Sequence, residues 1–99
     1  MYNDMDTIHF EWSDQKNRLN LEKHGVSFGE AQEAFKDKRR AIVKDIKHSQ
    51  IEQRYYCIGK VGKGIITVRF TYRAKAVRII GAGYWRQGKK VYEKENRLH

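Results

Sequence analysis

The chain predicts an α+β fold in two layers, with helices packed on a mostly antiparallel sheet. Three observations point there. Residues 64–73 alternate with period two, Ile66, Val68, Phe70 and Tyr72 on one side and Ile65, Thr67, Arg69, Thr71 and Arg73 on the other; over β-branched and aromatic residues this marks a half-buried strand. Two capped helical stretches precede it, between Ser13 and Lys36. Short turns link the later strands, and turns that short join antiparallel neighbours.

In chain order, Ile8-His9-Phe10-Glu11-Trp12 alternates and reads as a short strand. Ser13 is placed to cap a helix, with Asp14 near its positive end. That helix is expected to reach His24, with Gly25 left-handed past its end and Val26 against Leu21 in a Schellman arrangement. Leu19 and Leu21 are two apart, poor spacing for an apolar stripe, so termini and packing must carry this helix. Ser27-Phe28-Gly29-Glu30 is a capping box, and Val26 and Ala31 suit a hydrophobic staple. Phe28, Ala31, Ala34 and Phe35 give the stripe of a second helix, ending at Lys36.

A basic link over 36–40 leads to a strand over 41–46, a loop over 47–53 and a strand over 54–60. In that last strand Tyr55 and Cys57 lie on one side, and Arg54, Tyr56 and Ile58 on the other. Val61-Gly62-Lys63-Gly64 turns into the long strand, and Ala74-Lys75 turns out of it. A strand over 77–80 follows, ended by Gly81-Ala82-Gly83. Residues 86–97 return to helix, with Val91 and Leu98 seven apart and Trp85, Lys89 and Tyr92 on one stripe. Arg69 and Arg78 are expected on the sheet face opposite Phe70; arginines are costly in a core, so that face should be wet or meet an anion.

With 99 residues, the expectation is one small domain, 1–99, around one core. No apolar run approaches the ~20 residues of a membrane span, and no membrane partner is expected. Residues 1–6 are acidic and polar, unlike a signal peptide. Cys57 is the only cysteine, which excludes an intrachain disulfide and a cysteine-rich zinc site. A reducing cytoplasm is the expected location. Charge is divided along the chain: residues 1–35 hold three bases and seven acids, net −4, and residues 36–99 hold eighteen and five, net +13. A cationic surface of that density suits phosphate or an acidic protein.

The runs Phe10-Glu11-Trp12-Ser13-Asp14-Gln15-Lys16-Asn17 and Asn20-Leu21-Glu22-Lys23-His24-Gly25-Val26-Ser27-Phe28 resemble the opening of the BrnT family of bacterial toxins. Glu30-Ala31, Ala34-Phe35, Asp45 with His48-Ser49, Arg54-Tyr55, Ile58-Gly59 and Arg78-Ile79-Ile80 extend the resemblance over roughly residues 10–92. It implies a RelE-like two-layer fold: a curved, mostly antiparallel sheet with two N-terminal helices and one C-terminal helix. It implies a ribonuclease that halts translation, neutralised by a ribbon-helix-helix antitoxin, BrnA-like, which also binds operator DNA. Two features depart from the family. Gly81 and Gly83 stand where many members carry a serine and an arginine, with Tyr84-Trp85-Arg86 as the candidate replacement. The link after Phe35 lacks the usual proline.

RNA cleavage of this kind needs no cofactor or metal, and four scattered histidines with one cysteine give no ligand spacing. It needs cations around the phosphorus and groups that carry protons. Arg54 and Arg69, on strands, are the first candidates to clamp phosphate. Arg86 and Tyr92 loosely resemble the basic residue and tyrosine that follow the last strand in RelE-like toxins. His48 is the candidate base. Trp85 can stack a base, and Lys60, Arg78, Lys89 and Lys90 supply a diffuse phosphate-attracting field. Each has a structural alternative: solvated sheet arginines, an exposed loop histidine, core packing for Tyr92, a covered sheet edge for Trp85. His24 reads as structural, a cation at a helix end. Three readings stay open: an RNA-cleaving toxin, a RelE-fold module that has lost catalysis and acts through an antitoxin or nucleic acid, and a plain RNA-binding protein.

Overall fold

A computed structural model of the chain describes residues 8–48 and 51–97. The acidic stretch 1–6, Ser49 and Leu98 lie outside the described residues. Among the described residues the order is β1 (His9–Glu11), α1 (Asp14–His24), α2 (Phe28–Ala31) running into a 3-10 turn (Gln32–Lys36), β2 (Ala41–Lys44), β3 (Arg54–Val61), β4 (Gly64–Arg73), β5 (Ala76–Gly83) and α3 (Arg86–Asn96). The five strands form one sheet in the order β1-β5-β4-β3-β2. Every neighbouring pair is antiparallel except β1 with β5, which is parallel.

The sheet has two unlike faces, as the alternation of β4 requires. Ile66, Val68 and Phe70 point into the main core, where they meet Cys57 of β3, Val77 and Ile79 of β5, and Val26, Phe28, Ala31, Ala34 and Phe35 from the α2 region. Phe35 packs edge-on against both Phe10 and Phe70 at 5.1 and 5.0 Å. The opposite face carries Tyr56, Ile58, Ile65, Thr67 and Arg69. Its upper part is covered by α3, whose Tyr92 and Val91 pack with Ala41 and Ile58 in a smaller second cluster.

Several local expectations need revision. The second helix is α-helical only to Ala31 and tightens to a 3-10 turn through Lys36. Ser27 accepts the Glu30 N–H at 3.0 Å, one half of the capping box, and Val26 and Ala31 are both fully buried. The stop of α1 is the single left-handed cap: Gly25, at φ 71°, donates to the Leu21 carbonyl at 2.9 Å. β2 ends at Lys44, two residues short. β5 continues through Gly81-Ala82-Gly83, the residues expected to end it. It does so across a bulge: Phe70 pairs with Ile79 and Arg69 with Gly81, so Ile80 is one residue extra. That insertion shifts the alternation and turns Ala82, like Ile79, into the core.

Helix α1 buries none of its residues, and Leu19 and Leu21 stay exposed. Its attachment is polar. The Asn20 carboxamide donates to Val26 O at 2.8 Å and Ala82 O at 2.9 Å, and accepts from Ala82 N at 3.1 Å. Asn17 accepts from Phe28 N at 2.8 Å. The family-like run is thus a clamp that fixes the helix to the next turn and to the end of β5. Asn20→Ala leaves three backbone groups unpaired at a half-buried contact. It is expected to cost about 2–3 kcal/mol, read as a lowered urea midpoint with unchanged slope.

Candidate active site

Strand register brings the sequence candidates Arg54 and Arg69 to one face. Tyr56 pairs with Arg69 and Arg54 with Thr71, so all four side chains leave the sheet on the side away from the main core. Thr71 is buried, and its hydroxyl donates to Gln53 O at 2.6 Å, which ties down the chain just before Arg54. The Arg69 guanidinium carbon stands 6.0 Å from the Tyr56 ring centroid, the outer limit of a cation–π contact. Arg69 Nε is buried without a hydrogen-bond partner.

The loop after β2 supplies the next two groups. Asp45 continues the β2–β3 ladder, its N–H donating to Arg54 O at 2.8 Å. Its side chain is buried, and both carboxylate oxygens lie within 3.0–3.2 Å of His48 Nδ1. Burial opposes ionisation of Asp45, but hydrogen bonds from His48 and Tyr56 outweigh it and hold the carboxyl below its usual range. Tyr56 moves the other way: burial pushes its hydroxyl up, and the nearby Asp45 charge adds to that against the opposing Arg69. Tyr56 therefore keeps its proton at neutral pH. In the tautomer that carries its proton on Nδ1, His48 donates to Asp45. His48, Asp45, Tyr56 and Arg69 form one chain of contacts.

Two clefts flank this chain. One, about 400 Å³, is lined by His48, Arg54, Lys47, Ile51 and Glu52. Glu52 sits 3.8 Å from Arg54 and 3.6 Å from Arg73. The other, about 410 Å³, lies between the sheet and the start of α3, with Tyr56, Arg69, Trp85 and Gln87 on its walls. Beyond Trp85 a third cleft of about 400 Å³ is lined by Lys63, Tyr84, Trp85, Arg86 and Lys89.

The remaining candidates are dispersed. Arg86 and Lys89 border the third cleft, on the far side of Trp85 from Arg69. Lys90 is exposed on α3, and Lys60 is exposed while its N–H donates to Asp37. Arg78 is paired with Glu11 of β1 at 2.8 Å, which offsets its charge. Tyr92, expected among the catalytic groups, is buried in the second cluster with its hydroxyl donating to Asp37 at 2.6 Å. Burial and that anchor push its pKa up to about 12, so the hydroxyl keeps its proton at neutral pH. His24 stands edge-on to Trp85 at 5.3 Å, a packing contact in keeping with a structural histidine.

A family model described as "Ribonuclease toxin, BrnT, of type II toxin-antitoxin system" matches residues 12–88. The chain belongs to the BrnT family. It is a ribonuclease toxin of a type II system, which pairs it with an antitoxin and gives it RNA as substrate. A comparison with curated proteins gives no match. Among the described residues, no helix is long and apolar enough to cross a membrane.

Membership in the BrnT family throws the two glycines into relief. A side chain at Gly83 would meet the Trp85 indole within 2.6 Å, so the indole fills the space an arginine there would enter. Gly81 pairs with Arg69 and lies 3.9 Å from Asn20 at its would-be Cβ. Sequence reasoning passed over Tyr56 and Gln87, and named Asp45 only within the resemblance. Tyr56 was legible as the neighbour of Arg54 on one face. Asp45, three residues before His48, was legible as its carboxylate partner.

The anchor of α3 carries a pH signature. Burial opposes ionisation of Asp37, but hydrogen bonds from Tyr92, Lys60 N–H and Arg39 N–H prevail and bring its pKa below the ordinary 3.8. A depressed carboxyl lends stability above its unfolded pKa and loses it as pH falls through the folded one; the raised Tyr92 lends stability below about 10 and loses it as pH climbs towards about 12. Tyr92→Phe is expected to cost about 1–3 kcal/mol at pH 7. It should also flatten both limbs of a stability–pH curve measured by urea unfolding.

Proposed function

We propose that this ribonuclease toxin cuts RNA without a metal ion, by attack of a ribose 2′-hydroxyl on the adjacent phosphorus, on the face that carries Arg54, Tyr56 and Arg69. The observation that supports it is the continuous run from His48 through Asp45 and Tyr56 to Arg69. The cations stand on rigid strands, and the base and the group that orients it stand beside them on the loop after β2. Arg69 and Arg54 hold the phosphate and offset the charge that builds on its oxygens in the transition state. His48, fixed by Asp45, takes the 2′ proton as the 2′-oxygen bonds to phosphorus. The bond to the 5′-oxygen breaks, and that oxygen takes a proton from water, since the Tyr56 hydroxyl is committed to Asp45. The products are a 2′,3′-cyclic phosphate and a 5′-hydroxyl end.

Trp85 stacks a base beside this phosphate, and Arg86, Lys89 and Lys63 carry the strand onward along the third cleft. Cleaved messengers halt translation. The antitoxin is of the BrnA-like ribbon-helix-helix kind, bringing the pair to operator DNA, and an acidic segment of it suits the same basic face. The reading set against catalysis is an inactive interaction module. It rests on Gly81 and Gly83 standing in place of the family's serine and arginine.

Induction of the chain alone in a bacterial host, with RNA mapped for new 5′-hydroxyl ends, decides between them. Wild type is expected to arrest growth and create new ends. Arg69→Ala should lower cleavage about 10²–10³-fold, and His48→Ala about 10²-fold or more. Full toxicity in both variants would move the site elsewhere. Soluble, folded protein that gives neither arrest nor new ends would favour the inactive module.

A further inference from the structure

The cleft beside Arg69 has a composition that phosphate binding does not call for. Besides the Arg69 cation, the two aromatic rings and the Thr67–Gly88 contact, its walls are Val43, Ile58 and Val91, with Gln87 as the one side-chain amide. The protein carries net charge +9, and basic side chains crowd the neighbouring cleft at Lys63, Arg86 and Lys89. An apolar recess inside such a surface suits the part of a nucleotide that is flat and uncharged. Its volume of about 410 Å³ is within the range of small-ligand sites, which pair apolar walls with a few placed polar groups.

The recess is held open by a close approach of α3 to the sheet. Gly88 lies so near Thr67 that a Cβ there would collide with the Thr67 hydroxyl. The first turn of α3 is therefore pressed onto β4. Trp85, just before that turn, is wedged against Gly83 and His24. Gln87, one residue before Gly88, is exposed at the mouth. A ring stacked on Trp85 with its phosphate on Arg69 presents its polar edge towards that mouth.

We propose that the cleft is a nucleobase pocket next to the scissile phosphate, and that Gln87 is the specificity-determining residue that reads the base edge. A carboxamide offers one donor and one acceptor side by side. It pairs with base edges that present the complementary couple, as glutamine does with adenine. Stacking on Trp85 holds any base, so selection falls to the amide. This rests on the ribonuclease reading above and adds to it the position at which sequence is sensed.

The test is in-cell mapping of 5′-hydroxyl ends after induction of the full chain, with base frequencies tallied on both sides of each cut. Wild type, Gln87→Ala and Gln87→Glu are compared; position 87 is exposed, so neither substitution disturbs a packed contact. Wild type is expected to prefer one base at a flanking position by about fivefold or more, as two-point edge reading does. Gln87→Ala should bring that preference below about twofold. Gln87→Glu presents two acceptors in place of the donor–acceptor couple. It should redirect the preference to guanine, whose N1–H and N2–H₂ are adjacent donors. A wild-type preference that both variants leave unchanged, or no preference at all, would overturn the pocket assignment while the ribonuclease stands. No new ends from wild type would overturn the ribonuclease reading, and this inference with it.

Discussion

The carboxamide of Asn20 is the contact on which the geometry of the site depends. β1 is three residues long and covers β5 only from Ala76 to Arg78. Past that point no strand among the described residues pairs with the outer edge of β5, and an unpaired buried backbone group costs about 1–3 kcal/mol. Asn20 meets both backbone groups of Ala82 at 2.9 and 3.1 Å, as a paired strand would. The same side chain holds Val26 O at 2.8 Å, so one amide joins α1, the turn into α2 and the end of β5. Gly83 and Trp85 follow at once, and the start of α3 is set by where β5 ends. The strongest family-like run therefore acts on the site from a distance, through the strand it secures.

Two packing events on opposite faces let a small sheet carry a charged surface. The main core takes the alternate residues of β3, β4 and β5 against Phe28, Phe35 and their neighbours. The bulge at Ile80 keeps that core supplied with Ala82 while leaving Gly81 beside Arg69. On the other face α3 covers Ile58 and stops there, pinned by the Tyr92–Asp37 bond and by Gly88 against Thr67. Arg54 and Arg69 stand below it, with their backbones fixed in the sheet. Fixed cations of this kind stabilise a transition state better than mobile ones, because nothing has to reorganise as charge develops.

Much of this was legible because period and punctuation are local. The alternation put Arg54 and Tyr56 on one side of β3 and Arg69 opposite Phe70 on β4, though only the register joins these into one face, and Ser13, Gly25 and Ser27 marked the helix ends. What escaped depends on contacts distant in sequence. Gly81 and Gly83 read as a stop, since glycine weakens a strand by itself. They continue as strand because Arg69, Val68 and Thr67 of β4 pair with residues 81–83. The parallel pairing of β1 with β5 spans the chain and has no local mark. Tyr92 read either as a catalytic tyrosine, from its place after the last strand, or as core packing. Only the fold brings Asp37 under its hydroxyl and turns it into an anchor.

The loss of the family's serine and arginine weighs less against catalysis than the sequence suggests. A cation lost at position 83 matters if no other charge faces the phosphate. Here Arg54 and Arg69 remain on adjacent strands, and the Asp45 carboxylate is engaged with His48 and Tyr56. The space at Gly83 is given to an indole instead of a guanidinium. On the proposed reading, that exchange gives up electrostatic attraction for a stacking surface worth ~1–3 kcal/mol per base, on the wall of a cleft that Arg69 also lines. On that reading binding energy moves from charge to stacking, which holds any base alike, and the choice between bases falls to the Gln87 amide.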